Sequence, residues 1–198
     1  QTLAKSLAAA GITLYEGRGV CAGKGQAIVR SESGEEMLTY DNIILSCGSS
    51  SASFPGLAPD GDAVLDSTGV LNLPEVPESL IIVGAGAIGL ELGDFFGMMG
   101  SKITIVEAAP HIAPTEDADI AKEMDRVQSK AGRTCITGVM AKSLVTKDGQ
   151  AELTLGDGRV LTASKALVAV GRTPNTAGLD CEKAGCTLKR RGFVDVND

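Results

Sequence analysis

The 198-residue sequence has a single histidine, His111, and no tryptophan. With one histidine there is no convincing Ser-His-Asp set, and His111, just beyond Glu107 in a predicted loop, reads as a surface residue. The five cysteines (Cys21, Cys47, Cys135, Cys181 and Cys186) contain no Cys-x-x-Cys pair, which argues against a zinc site. Their odd number argues against a secreted disulfide framework. Neither Tyr15 nor Tyr40 has a lysine four residues on, so a Tyr-x-x-x-Lys reductase site is missing. No apolar run approaches the roughly 20 residues of a membrane helix, and QTLAKSLAAAG lacks a basic region followed by a long apolar one. A formal charge of -7 disfavours nucleic acid and anionic membrane as partners, because phosphate binding is driven largely by Lys and Arg. These absences predict a soluble cytoplasmic protein with reduced thiols.

Glycine, by contrast, is abundant. Its 25 occurrences are about twice the roughly 7% of average usage, which predicts many tight turns or close backbone approaches. TLAKSLAAAG, with Leu3 and Leu7 four apart and Gly11 closing it, predicts the end of a helix. From Ile12 to Leu45, ITLYEG, GQAIVRSESGEEMLT and NIILSCG alternate with turn clusters and predict a meander of strands. The segment starting at Gly25 recurs at Gly149 as GQAELTLGDGRVLTASKALVAVGRT. Gly25, Gly34, Leu38, Thr39 and Gly48 align with Gly149, Gly158, Leu161, Thr162 and Gly171. Two copies of one hairpin, each feeding a buried strand, predict two related domains with a meander apiece.

The most informative stretch is SLIIVGAGAIGLELGDFFGMMGSKITIVEAAP, Ser79 to Pro110. Ser79–Val83 suits a strand buried on both faces, and Gly84, Gly86 and Gly89 follow at Gly-x-Gly-x-x-Gly spacing. The first glycine permits a tight turn, the second lets a pyrophosphate meet the backbone, and the third lets the helix pack closely on the strand. The loop and first turn, Gly84, Ala85, Gly86, Ala87, Ile88, Gly89 and Leu90, would offer phosphates unpaired N–H groups and a partial positive charge. The helix from Ala87 to about Met99 carries a stripe of Ile88, Leu92, Phe95 and Met99, while Gly93 and Gly97 predict close packing. Glu107 ends the next strand, where an acid accepts hydrogen bonds from the adenine ribose. No Arg or Lys between Ala108 and Asp119 is available for a 2′-phosphate, so NAD is favoured over NADP. PTEDADIAKEMDRVQSKAG predicts a further helix, with Thr115 as cap and a stripe of Ile120, Met124 and Val127.

Three stretches, VPESLIIVGAGAIGLELGDFFGMMGSKITIVEAAPHIAP, ALVAVGRTPNT and NIILSCGSSSASFPGL, together resemble the flavin-dependent pyridine nucleotide-disulfide oxidoreductases. The resemblance covers nearly the whole chain and is closest to the dihydrolipoamide dehydrogenase branch. It implies an α/β fold in which a Rossmann-like dinucleotide-binding domain with an inserted β-meander accompanies part of an FAD domain. Residues 1–70 resemble the later strands of the FAD domain, 71–173 the NAD domain, and 174–198 a return segment. Gly19, Cys47, Gly48 and Ser49 match FAD-contacting positions, with Cys47 where the family usually has Thr. Met140 matches a backbone contact to NAD, and Gly171, opening Gly-Arg-x-Pro-Asn, lies near the cofactor. Glu91 matches a family Glu that approaches the flavin through a lysine, although an exposed helix glutamate remains open.

The resemblance also implies that the first FAD glycine loop, the redox Cys-x-x-x-x-Cys, the later Gly-Asp flavin contact and the His-Glu dyad lie outside these residues. The chain is then expected to be a fragment of a homodimeric enzyme that passes hydride between NAD and FAD, with dihydrolipoamide or a lipoyl domain as partner. Other flavin disulfide reductases, NADH oxidases and a noncatalytic NAD-binding redox sensor remain alternatives. CEKAGC, Cys181 to Cys186, has the spacing of the family's redox disulfide but follows Gly-Arg-x-Pro-Asn, where relatives have an ordinary run, so the family's redox role is not expected of it.

Overall fold

In the computed structural model, which describes residues 2–197, α1 (Thr2–Ala9) ends as its glycine predicts. The N–H groups of Gly11 and Ile12 donate to the carbonyls of Ala8 and Leu7, and Gly11 sits at φ 70°. An antiparallel meander follows, made of β1 (Arg18–Gly23), β2 (Gln26–Ser31) and β3 (Gly34–Thr39) in that order. The strands expected on either side of it are not formed. Residues 12–16 and 42–48 are extended or irregular chain, with Ile44 89% exposed. Their β-branched residues favour a strand only where a neighbouring strand supplies a ladder of hydrogen bonds, and neither segment pairs in a sheet among the described residues.

The remaining elements are β4 (Ser49–Ser51), β5 (Val64–Leu65), α2 (Ser67–Leu71), β6 (Ser79–Val83), α3 (Ala87–Met98), β7 (Lys102–Val106) and α4 (Ala118–Lys130). They continue with β8 (Thr134–Ile136), β9 (Ala141–Lys147), β10 (Gln150–Leu155), β11 (Val160–Ala163), β12 (Lys165–Val168) and β13 (Arg172–Pro174). The chain divides into two units, one of residues 51–172 and one of residues 1–50 with 173–198. The first of these begins earlier than the sequence boundary at 71. Leu57, Ala63 and Val64 lie in its core, and β5 pairs with β12, so most of the Ser/Pro/Gly-rich connection SSSASFPGLAPDGD, residues 49–62, belongs to this unit.

The 51–172 unit is layered about a five-stranded parallel sheet in the order β5-β12-β6-β7-β8. Alternation along β6 assigns its faces. Ile81 and Val83 join Leu144, Ala151, Leu153 and Leu155 of the second meander, β9-β10-β11, while Leu80 and Ile82 join Leu90, Phe96, Ile103 and Ile105 on the helical side. Burying a large side chain on either face is worth about 1.5–3 kcal/mol.

Both helix stripes are rotated from the expected ones. On α3 the buried residues are Gly89, Leu90, Gly93 and Phe96, whereas Phe95 and Met99 are about half exposed. A Cβ on Gly93 would lie 2.9 Å from Ile82 Cδ1, and one on Gly97 2.8 Å from Arg133 Nε. The glycines therefore form the contact face, and a rule counting large apolar residues points elsewhere. On α4 the inner face is Ala121, Met124 and Gln128, and Ile120 and Val127 are exposed. The cap position belongs to Asp117 rather than Thr115, whose hydroxyl donates to Glu116. Among the described residues no helix is long and apolar enough to cross a membrane.

Candidate functional site

The carboxyl ends of β6, β7 and β12 open into a cleft of about 960 Å³ within the 51–172 unit. In an open α/β sheet a ligand binds at the carboxyl ends of the strands, and here β6 lies between β7, reached through α3 on one face, and β12, reached through the second meander on the other. Gly84 turns out of β6 at φ 104°, and a Cβ there would sit 2.4 Å from the Ala169 carbonyl oxygen. Gly89, in the first turn of α3, would place a Cβ 2.0 Å from the Gly84 oxygen. Both must be glycine for the loop to close.

Gly86 is different. It is the N-cap of α3 at φ −79°, open to any residue, and a Cβ there would meet nothing within 4 Å. Neither conformation nor packing calls for glycine at this position, and the space in front of it is the cleft. The first-turn N–H groups of α3 have no acceptor within the helix, no side chain caps them, and the helix dipole adds positive charge.

Glu107 ties two sides of the cleft together. Oε2 accepts from Ala85 N–H at 2.7 Å, and Oε1 accepts from Ala109 N–H at 2.8 Å. Each oxygen can accept a further hydrogen bond, and Glu107 lines the cleft, where a hydroxyl could donate. Met140, Gly171, Ala87 and Ile88 line the same cleft, so the structure brings together most of the residues the sequence assigned to NAD. Glu91 is exposed on α3 and is not among the lining residues.

Sequence reasoning missed the far wall. Phe54 and Pro55 belong to a connection read from composition alone, and Lys142 arrives from β9, far along the chain. A conformational signal was present at Gly56, whose φ of 82° and 2.9 Å Cβ approach to the Lys142 oxygen pin that connection to β9. His111 is exposed, with Nδ1 2.9 Å from the Ile112 oxygen, and does not line the cleft. Among the described residues no group of His, Cys, Asp or Glu could hold a metal.

The positions matched to FAD lie in the other unit. Asn175, the last residue of Gly-Arg-x-Pro-Asn, clamps them. Its side-chain amide donates to the Cys47 oxygen at 3.2 Å, its backbone N–H to the Gly48 oxygen at 3.1 Å, and its Oδ1 accepts from Ser50 at 2.7 Å. Gly48 is left-handed at φ 70°. On β1, Gly19 repeats the situation of Gly86, with nothing within 4 Å of a Cβ.

The family model described as pyridine nucleotide-disulphide oxidoreductase matches residues 3–198. The chain belongs to this family. It is 35% identical over 191 residues to dihydrolipoyl dehydrogenase of Cupriavidus necator, covering 94% of this chain and 40% of the relative. To the mitochondrial dihydrolipoyl dehydrogenase of Homo sapiens it is 34% identical, covering 91% of this chain and 37% of that protein. The crystal structure of LpdA from Mycobacterium tuberculosis superposes with a TM-score of 0.88 at 28% identity, over 99% of this chain and 44% of LpdA. The HOCl-induced flavoprotein disulfide reductase RclA of Escherichia coli gives 0.80 at 30% identity, over 94% of this chain and 42% of RclA. Like LpdA, this oxidoreductase-family chain has the mixed α/β dinucleotide-binding fold, and it spans about 40% of the length of the curated relatives.

Proposed function

We propose that residues 51–172 are the NAD(H)-binding portion of a dihydrolipoamide dehydrogenase-like flavoenzyme. The observation that carries this is Gly86, a glycine that folding does not require, set at a helix N-terminus on the cleft. A ligand pressed against the backbone gives that position its reason. When bound, the dinucleotide supplies hydride chemistry with FAD in the intact parent. The residues of this chain hold and orient it: the α3 amides meet its phosphates, Glu107 accepts from the ribose hydroxyls, and the Gly171 turn, with Met140 opposite, bounds the cleft. A carboxylate at that position also repels a 2′-phosphate, which favours NAD. In the other unit Gly19 and the Cys47–Ser49 loop fit a partial FAD surface, where a glycine with open space and a left-handed turn admit close approach. The parent is read as a cytoplasmic homodimer acting on dihydrolipoamide or a lipoyl domain. The relatives' names support the substrate, and five free thiols suit a reducing compartment.

Titration of the chain with NADH and NADPH tests the reading. NADH should bind more tightly, and Glu107→Ala should narrow the difference; equal or tighter NADPH binding overturns the NAD assignment. Gly86→Val should abolish binding at an N-cap cost of about 1 kcal/mol or less, whereas Gly89→Ala should destabilise the unit far more. The sequence carries one Gly-x-Gly-x-x-Gly loop, so the purified chain should be colourless and, given FAD, NADH and lipoamide, show no oxidation above a protein-free control. A yellow, active preparation would refute the assignment of only a partial flavin surface.

A further inference from the structure

Four of the five cysteines belong to the unit of residues 1–50 and 173–198, and a turn brings two of them side by side. Cys181 opens a short 3-10 helix, Cys181–Ala184, that stops at Gly185 in the left-handed region with φ 95°. Gly185 N–H donates to the Glu182 oxygen at 3.0 Å, and Cys186 N–H reaches back to the Cys181 oxygen at 3.2 Å. This nested pair of bonds is the Schellman pattern, in which the side chains at the ends of the longer bond meet. Here those side chains are the two thiols. The 3.2 Å bond also bounds the separation of their Cα atoms at about 7 Å, the outer limit of what a disulfide spans.

The turn is fastened to β1, because Cys21 N–H donates to the Leu179 oxygen at 2.8 Å. Cys181 and Cys21 are buried, and Cys186 and Cys47 are half-buried. Burial, then the neighbouring thiols of Cys21 and Cys186, raise the Cys181 thiol above its ordinary value; burial, then Cys186, raise Cys21. In the reduced protein the two buried thiols therefore stay protonated, and of the two thiols that share the turn Cys186 is the one that solvent reaches. This is not the arrangement of a catalytic flavin-linked pair, which needs a ready thiolate.

We propose that Cys181 and Cys186 form an oxidant-responsive dithiol, in which Cys186 reacts with a hydroperoxide and Cys181 resolves the product to an intrachain disulfide. The peroxide gives one oxygen to the Cys186 sulfur, forming a sulfenic acid and releasing an alcohol, or water from hydrogen peroxide. The Cys181 sulfur then attacks the Cys186 sulfur, the S–O bond breaks, and the thiol proton leaves with the hydroxyl as water. Two thiols lose two electrons, which reduce the peroxide O–O bond. Exchange with an external dithiol returns the pair to the reduced state.

The test treats the reduced 198-residue chain with hydrogen peroxide, alkylates it in denaturant, and reads intact mass and peptide map. The expected result is loss of two of the five alkylatable thiols, loss of two hydrogen masses, and one peptide bridged between Cys181 and Cys186, all reversed by dithiothreitol. Cys186→Ser, at a half-buried position, should keep its four remaining thiols alkylatable. Cys181→Ala should leave a sulfenic acid on Cys186 that dimedone traps, and Cys21→Ala should still form the bridge. A bridge from Cys186 to Cys21, a bridge from Cys181 to Cys47, a persistent sulfenic acid in the unaltered chain, or Cys135 or Cys47 oxidised first would overturn the proposal.

Discussion

The two meanders share one sequence pattern and have different surroundings. In β9-β10-β11 the inward residues Ala151, Leu153 and Leu155 are fully buried. At the matching places in β1-β2-β3, Ala27 and Val29 are half buried and Ser31 is exposed. The hairpins form in both cases, because Gly, turn residues and alternation act locally. Burial does not follow from them. It requires a second layer, which β6 and β12 supply in the 51–172 unit through Ile81, Val83, Ala166 and Val168. A repeated sequence thus encodes a repeated local structure, and its stability depends on what it is laid against.

The comparison is broken most directly by cutting the same depth from each hairpin. Leu153→Ala should cost about 2–5 kcal/mol, since a fully buried leucine leaves a cavity. Val29→Ala should cost about 1 kcal/mol or less. Chemical denaturation followed separately in each unit measures both. Equal penalties would mean that the first meander is packed as tightly as the second. Native-state hydrogen exchange sharpens the same contrast without mutation. Amides of β10 should be protected near the global limit, and those of β2 should exchange through local opening, because few buried apolar contacts hold that ladder.

What the sequence could show follows the same line. The strand–Gly loop–helix–strand–acid frame was legible because every signal in it lies within about 30 residues and each glycine has a separate local reason. The predicted faces of α3 and α4 were wrong where contact is made by Gly89, Gly93 and Gly97 or by Ala121 and Gln128, residues a hydrophobic count ignores. The expected strands at residues 12–16 and 42–48 have strand composition but pair with no strand among the described residues. Lys142 and Phe54 reach the cleft over long sequence distance, for which no spacing rule exists.

The smallest effect tests how the second meander is tied to the chain leading into β5. Opposite the matched alanines, Ala27 and Ala151, the first meander places Cys21 and the second Thr146. Thr146 Oγ1 donates to Asp60, as do the N–H groups of Asp62 and Val64. Burial pushes the Asp60 carboxyl up, but the Thr146 hydroxyl and those backbone groups outweigh it and hold it below the usual range. With the folded value below the unfolded one of about 3.9, this stabilisation is fully present above the unfolded value. It fades as pH falls through the lowered folded value. Thr146→Val should therefore destabilise the 51–172 unit at pH 7 by under about 1 kcal/mol, discounted because Asp60 is exposed to solvent. In acid, below the folded value, the difference from the unaltered chain should shrink to the part owed to Ala63 N–H, which donates to Thr146 Oγ1 at 3.3 Å and loses that acceptor at any pH. Cys21→Ala at the equivalent place should show no such trend across the acid range, since a thiol held above its ordinary value is neutral throughout. A Thr146→Val penalty that persists unchanged into acid would show that the hydroxyl acts through the Ala63 N–H and not through the Asp60 carboxylate.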